Sequence, residues 1–520
     1  MQLKIYDGAE SIGGSKIYLR DGNHGIFLDF GLNFSIMGKY FKEFISMRAI
    51  RGLNDPIEMN LLPPIDVYRE DLIPSDLNTS NWERIPVDAV LLTHAHMDHY
   101  GMIGYLRFDI PLVASPETLA IIKAYQDAGK SDNATSVIYG AKREEDSSSM
   151  PILKSKGNSI KNNEEKIRKY LMLRRLIPTE ELSYEEIDFL CLQSTEERMD
   201  YLAEMLEFGH LESLPFKVNA HPVDHSIYGA VGYIIEDGNS KKIAYTGDFR
   251  MHGERGEETL KFINKAKGSD VLIIEGTRLE DDREHHYTTE QDVFENCSAV
   301  VGDEKGLIIA DFSARNFERL NMFAKIAKEN GRNLIVTDKD AYAITGLLTA
   351  GTEIDVENIM VYDKPQDRVG WWQKMLAYHD LWEDKYVAPV EIREYPGNYI
   401  LAFSLYDMPN MMDIKTQGGM YLYSSTEAFT EDMELDFVTL SNWLSRYGMR
   451  SVGFHMEGNK PKFDEGYHAS GHASEEEIRS MIDSIDPDII IPVHTTNPYW
   501  FAQNFEEKTK ILKNGDYIEF

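Results

Sequence analysis

Short apolar runs of strand length recur along the chain, separated by stretches that are either turn-rich or helix-patterned. Ile17-Tyr18-Leu19 and Ile26-Phe27-Leu28 are β-prone and flank Asp21-Gly22-Asn23, residue types that favour turns, so a β-hairpin is predicted there. From Phe34 to Arg84 the pattern breaks at Pro56, Pro63, Pro64 and Pro74, which predicts a long loop or lid. Val87-Asp88-Ala89-Val90-Leu91-Leu92 is nearly continuous in apolar residues, as a buried strand is. Residues 131–209 are polar and charge-dense. Ser194 and Glu197 have capping-box spacing ahead of Met199, Leu202, Met205 and Leu206, so a largely helical insertion on a core built elsewhere is expected. Strands return at 242–245 and 271–274. Further strands are predicted at 307–310, 333–336, 399–402 and 420–423, with a helical pattern at 316–330 closed by Gly331. Alternating strand and helix implies a mostly parallel α/β sheet. A last helical pattern, 475–485, leads into the apolar strand 488–493.

Composition narrows this picture. With 520 residues, 42% of them hydrophobic and 11% aromatic, large cores are affordable and dominant disorder is excluded. No apolar run reaches the ~18–20 residues that cross a bilayer, and the opening residues lack a signal peptide's apolar core, so a soluble cytoplasmic protein with no membrane partner is expected. The only cysteines, Cys191 and Cys297, lie far apart, which excludes a disulfide framework or thiolate metal site. Any metal must therefore sit on histidine and carboxylate. A net charge of −33 argues against a basic face that wraps a polyanion.

The chemistry is concentrated in Thr93-His94-Ala95-His96-Met97-Asp98-His99, three imidazoles and a carboxylate directly after a buried strand. A tight loop at a strand end can turn such closely spaced side chains onto one point, an N/O donor set that suits Zn²⁺. Asp248, Glu275 and His494 likewise each follow or end a strand, where ligands and catalytic groups of open α/β sheets gather.

His94-Ala95-His96-Met97-Asp98-His99 matches the HxHxDH signature of the metallo-β-lactamase superfamily. Asp29 resembles that superfamily's early aspartate, His225 in Asp224-His225-Ser226-Ile227 its third-motif histidine, and Asp248 in Thr246-Gly247-Asp248 its bridging aspartate. Glu275-Gly276-Thr277, Ser470-Gly471-His472-Ala473 and Pro492-Val493-His494-Thr495 are similar to the three added motifs of the β-CASP nucleases, chiefly the ribonuclease J family, and Phe312-Ser313-Ala314-Arg315-Asn316 resembles the opening of their inserted domain. The resemblance implies an αββα sandwich at 1–286 and 451–520, with insertions at 34–84 and 131–209, and a β-CASP α/β domain of parallel sheet at 287–450. It implies two divalent ions, Zn²⁺ before Mn²⁺: one on His94, His96, His225 and Asp248, the other on Asp98, His99, Asp248 and His494. It further implies catalytic roles for Asp98, Asp248, Glu275 and His472, and a phosphate pocket drawn from Ser313, His468, Ser470, Gly471 and Ala473. Two departures stand out: Pro-Val-His is followed by Thr495, not Gly-Glu, and only 26 residues follow His494, so the C-terminal domain of bacterial members, with its dimerisation element, is not expected.

The activity so implied is hydrolysis of RNA, 5′→3′ exonucleolytic, endonucleolytic or both, by a metal-activated water. A DNA or small-phosphoester hydrolase on the same centre and a non-catalytic RNA-processing scaffold are the alternatives, and a homodimer is a further expectation. If RNA is the substrate, the −33 charge must be unevenly spread, with Arg69, Arg250, Arg278 and Arg315 expected around a single positive cleft.

Overall fold

The computed structural model describes the chain apart from residues 43, 130–131, 147–149, 156–164, 174–210, 239, 280–287, 378 and 426–430. Three sheets organise it. The first runs Tyr170–Met172, Leu112–Ala114, Ala89–Leu91, His24–Leu28, Lys16–Asp21, Gln2–Asp7 and Tyr517–Glu519. The second runs Lys217–Pro222, Val231–Glu236, Lys242–Tyr245, Val271–Glu275 and Ile489–Val493, so its last strand arrives from far along the sequence and pairs in parallel with Val271–Glu275.

Successive strand residues face opposite sides of a sheet, and both sheets are apolar on both faces. Ile5, Ile17, Leu19, Ile26, Leu28 and Leu91 of the first meet Tyr233, Ile243, Tyr245, Val271, Ile273 and Ile491 of the second in one buried layer. The alternate residues Ala244, Leu272, Ile274 and Ile490 turn outward onto Phe262 and Ile263 of helix Gly256–Ala266 and onto Ile478, Met481 and Ile482 of helix Glu475–Ile485. On the other side, Phe27, Val90 and Leu112 pack with Leu119 and Ile122 of helix Pro116–Ala128. This is the αββα sandwich expected.

The third sheet runs Tyr386–Val387, Ile359–Tyr362, Asn333–Val336, Tyr399–Leu401, Ile308–Asp311, Met420–Tyr423 and Arg450–Val452, and every pairing in it is parallel. Its helix Asp338–Thr349 packs on helix Pro116–Ala128 of the sandwich. Two buried polar knots fasten the junction. Tyr342 and Tyr139 both donate to Asp127, which pairs with Lys123. Arg250 pairs with Asp224 at 3.3 Å, Glu290 at 2.7 Å and Glu318 at 2.8 Å, while Arg319 takes the other Glu290 oxygen at 2.7 Å.

Two sequence expectations change. The segment 34–84 is no lid over most of its length: Leu53, Leu61, Leu62, Ile65, Val67, Tyr68 and Leu72 are buried in the sandwich's outer core. Its prolines interrupt regular structure without exposing it. The described part of 131–209 holds short strands, among them Tyr139–Ala141, Arg143–Asp146, Ile152–Ser155 and Glu165–Ile167, where helix was expected; the pattern at Ser194–Leu206 lies outside the described residues. Among those residues no helix is long and apolar enough to cross a membrane, and Cys297 is a buried free thiol.

Candidate metal centre

Polar side chains from five separate loops meet at the carboxyl ends of the sandwich strands. The HxHxDH loop follows strand Ala89–Leu91, Asp248 follows Lys242–Tyr245, Glu275 ends Val271–Glu275, His494 follows Ile489–Val493, and His225 lies between Lys217–Pro222 and Val231–Glu236. Close packing shapes the loops. A Cβ at Gly31 would fall 1.6 Å from the Asp98 carbonyl oxygen, so only glycine fits beneath the ligand loop. His494 adopts a left-handed φ of 50°, a conformation that costs a non-glycine residue free energy, and its N–H is tied to the Gly8 carbonyl at 2.8 Å.

Two tetrads of ligand-type atoms result, His94, His96, His225 and Asp248 in one, Asp98, His99, Asp248 and His494 in the other, with the atoms of each within 4.8 Å of one another. In the first, His96 Nδ1 lies 3.0 Å from His94 Nε2 and 3.1 Å from His225 Nε2, and Asp248 Oδ2 lies 3.7 and 4.0 Å from those two nitrogens. In the second, Asp98 Oδ2 is 3.1 Å from His494 Nε2, and Asp248 Oδ2 is 3.1 Å from His99 Nε2. A tetrahedral ion with bonds of ~2.0–2.1 Å sets its ligand atoms about 3.3 Å apart. The spacing therefore fits an ion in each tetrad. Asp248 Oδ1 is moreover buried without a hydrogen-bond partner, which is costly unless a cation satisfies it.

The outer partners fix which nitrogen faces inward. His99 Nδ1 meets Asp29 Oδ2 at 2.8 Å, His225 Nδ1 meets the Gly471 carbonyl at 2.5 Å, and His494 Nδ1 meets Thr277 Oγ1 at 2.9 Å. With Nδ1 as the donor in each pair, Nε2 would offer its lone pair to a bound cation, the usual arrangement of metal-ligating histidines. Asp29 is itself pinned by Thr93 N–H at 2.8 Å and Tyr245 Oη at 2.7 Å. Burial, then the surrounding rings, holds His94 and His225 well below the ordinary histidine range, and burial brings His96 down to about 4. Burial works against ionising Asp98 and Asp248 too, but the adjacent imidazoles overcome it and hold both below the usual carboxylate range.

Glu275 and His472 form a dyad at the edge of the centre. His472 Nδ1 lies 3.1 and 3.2 Å from the two Glu275 oxygens and 3.8 Å from Asp248. Burial opposes charging this ring, but Glu275 and Asp248 outweigh it and push it up to about 9. Glu275 also accepts from Phe249 N–H at 3.0 Å and from Thr277 Oγ1 at 2.6 Å. Thr277, quoted in the sequence only as part of a motif, thus joins Glu275 to His494 through one hydroxyl. Its signal was a hydroxyl two residues past an acid at a strand end.

The remaining site residues divide. Ser470 Oγ accepts from His472 N–H at 3.1 Å, and Gly471 sits where a Cβ would come within 2.7 Å of Ser226 Oγ, so both shape the His472 loop. Ala473 is fully buried in the outer core, which leaves only its backbone for a phosphate. His468 turns Nδ1 to the Ser425 carbonyl at 2.9 Å and Nε2 to the Gly453 carbonyl at 2.8 Å, so neither nitrogen faces the centre. Ser313 is exposed, its carbonyl closing a turn onto Asn316 N–H. Three of the four expected cleft arginines are engaged inside the protein: Arg69 is buried against Asp71 and the Ala141 carbonyl, Arg250 is buried among three carboxylates, and Arg315 donates to the Ala95 carbonyl at 2.7 Å while its guanidinium lies 4.6 Å from the Tyr125 ring centroid; the fourth, Arg278, is half-buried directly after Thr277. Buried carboxylates and loop carbonyls compete successfully for the first three cations. His221 lies in strand Lys217–Pro222, outside both tetrads, and His252 bonds Glu477 and the Ser470 carbonyl behind the His472 loop.

Residues 65–139 match the metallo-beta-lactamase superfamily model, and 464–513 match a Zn-dependent metallo-hydrolase RNA specificity domain. Ribonuclease J of Mycoplasma pneumoniae is 23% identical over 425 residues, 78% of this chain and 57% of that protein, so the chain spans little more than half of that relative. Ribonuclease J of Methanocaldococcus jannaschii is 21% identical over 489 residues, 90% of each chain. A crystal structure of a protein of unknown function from Enterococcus faecalis V583 shares the fold with a TM-score of 0.64 at 21% identity, over 99% of both chains. Fold, motif order and these matches make the chain similar to the ribonuclease J proteins of the β-CASP group in the metallo-β-lactamase superfamily.

Proposed function

We propose that this chain is a metal-dependent phosphodiesterase acting on RNA, 5′→3′ exonucleolytic, endonucleolytic or both, with two divalent ions held by the tetrads that share Asp248. The observation that carries the reading is the contact between those tetrads and the Glu275–His472 dyad, which puts an acid group beside two cation sites. Imidazole and carboxylate donors suit Zn²⁺ and accept Mn²⁺. Bound there, such ions supply Lewis acidity to phosphoryl oxygens and acidify water.

The chain's own groups supply positioning and proton transfer. Glu275 accepts from His472 Nδ1–H, which leaves Nε2–H free to donate, and a ring pushed up to about 9 holds that proton at neutral pH for the leaving oxygen. Asp29, Thr277 and Gly471 hold the inward-facing nitrogens in place, so little reorganisation accompanies reaction. The names of the relatives and of the 464–513 family model favour RNA over DNA; Arg69, Arg250 and Arg315, engaged inside the protein, add no support.

The test is single-turnover cleavage of one RNA carrying a 5′-triphosphate, 5′-monophosphate or 5′-hydroxyl, beside a matched DNA, with Asp98→Ala as control. Cleavage of RNA that is lost in the variant supports the reading, and the preferred end assigns the mode. Equal products from wild type and variant refute it.

A further inference from the structure

A polyanionic substrate needs holding, yet several arginines beside the centre serve the protein itself: Arg315 binds the Ala95 carbonyl, Arg255 the carbonyls of His225 and Ile227, and Arg250 three carboxylates, which leaves the half-buried Arg278. A different kind of surface adjoins the ligand loop. Phe30 N–H donates to the His99 carbonyl at 2.8 Å and Leu32 N–H to the Met97 carbonyl at 2.9 Å, so the chain leaving Gly31 is bonded to the ligand loop itself. Phe34 follows Leu32 by two residues, at most about 7.6 Å along the Cα trace.

Helix Phe34–Tyr40, capped by Asn33, buries none of its residues. Phe34 is 52% exposed and Tyr40 47%. The chain then closes a tight turn, with Lys42 and Ile45 exchanging N–H···O bonds at 3.0 and 2.8 Å, and Phe44 in that turn is 96% exposed. Ile12, 37% exposed, adjoins Gly13, which packs so closely on Asp98 that a Cβ would lie 2.7 Å from Asp98 Cβ. Several large apolar side chains left in water on one short segment mark a binding surface. In a chain of net charge −33, residues 34–51 carry Lys39, Lys42, Arg48 and Arg51 against the single acid Glu43. Arg48 and Arg51 are held by Asp55 and Asp76, while Lys39 stands 5.3 Å from the Tyr40 ring centroid.

We propose that Phe34, Tyr40 and Phe44 form a stacking platform for the bases of single-stranded RNA beside the ligand loop of the metal centre, with Lys39 beside its phosphates. The inference rests on the RNA reading above. Every base has a π-face, so stacking on aromatic side chains is tolerant of sequence and gains affinity without a strongly basic groove. That is how an acidic protein can hold a polyanion, and Lys39 among the rings favours a phosphate-bearing partner over an apolar one.

The test is fluorescence anisotropy of a labelled single-stranded RNA 12-mer with the full chain in an Asp98→Ala background. Tyr40→Ala and Phe44→Ala should each weaken binding at least about fivefold, the lower end of what one base–aromatic stack contributes. Phe44→Trp should retain affinity and show its fluorescence quenched by RNA. A duplex of the same sequence, whose bases cannot open onto the rings, should bind all variants alike. Unchanged single-strand affinity in both alanine variants overturns the platform, as does sedimentation showing a wild-type dimer that Phe44→Glu dissociates. Wild-type cleavage of RNA separates that outcome from failure of the RNA reading, in which wild type neither cleaves nor binds it.

Discussion

Replacing Thr277 by valine removes one hydroxyl at nearly constant shape and acts on two groups at once. The hydroxyl donates to Glu275 at 2.6 Å and accepts from His494 Nδ1 at 2.9 Å. Glu275 keeps two backbone N–H donors and His472, so the dyad survives. His494 keeps no comparable acceptor for its Nδ1 proton, and the ring is free to turn its Nε2 away from Asp98. A neutral hydroxyl–imidazole hydrogen bond is worth about 0.5–1.5 kcal/mol, and losing an outer partner of a ligating histidine typically costs 10–100-fold in metal affinity, about 1.4–2.7 kcal/mol, because ring orientation is lost with it. We therefore expect Thr277→Val to weaken only the ion of the Asp98, His99, Asp248 and His494 tetrad, by 10–100-fold, with Thr277→Ser restoring it. Chelator competition with metal quantified per chain reads this directly: one ion should stay tight and one loosen. Two ions bound at wild-type affinity would refute the argument, and so would equal loss of both.

Three further outcomes follow. His472→Ala should lower turnover of RNA by about 10²–10⁴-fold but affect a p-nitrophenyl phosphodiester far less, since that leaving group needs no proton; equal losses would remove His472 as the acid. Arg250→Met strands the buried carboxylates of Asp224 and Glu318, Glu290 keeping Arg319, and should destabilise the protein by about 3–5 kcal/mol, read as a lower denaturation midpoint; an unchanged midpoint would refute the network's role. Asp311, buried at the end of strand Ile308–Asp311 and accepting from Tyr421, is pushed up to about 7 by burial, against about 3.9 in an unfolded chain. The native state thus binds a proton that the unfolded state lacks between those values, so the contribution is fully present below about pH 4 and is lost as pH rises through about 7. Asp311→Asn should then be more stable than wild type at pH 8 and match it near pH 4 in urea titrations; a gap independent of pH would refute the assignment.

The metal centre was legible because each component breaks a local pattern: Asp248, Glu275 and His494 are polar residues at the ends of apolar strands, and the HxHxDH loop is dense in imidazole. Arg250 and Arg315 were misread because their partners lie far off in sequence. Arg250 meets Glu290 and Glu318 at separations of 40 and 68 residues, and no local periodicity carries that pairing. The segment 34–84 misled for a related reason. Prolines end regular elements, but burial of Leu53, Leu61 and Tyr68 is decided by what the fold places over them. Thr277 was written in the sequence but is ordinary as a residue type, and its role exists only once strands Val271–Glu275 and Ile489–Val493 lie side by side.

The pair His494–Asp98 closes the centre across 396 positions of sequence. At about 5–20 residues per second of synthesis, the ribosome needs roughly 20–80 s to travel between those two codons. Throughout that interval the emerging chain displays the HxHxDH loop beside its own messenger without the last ligand, and the second sheet lacks its edge strand. A centre that needs both residues is thus incomplete until the two ends of that 396-residue span have both been made.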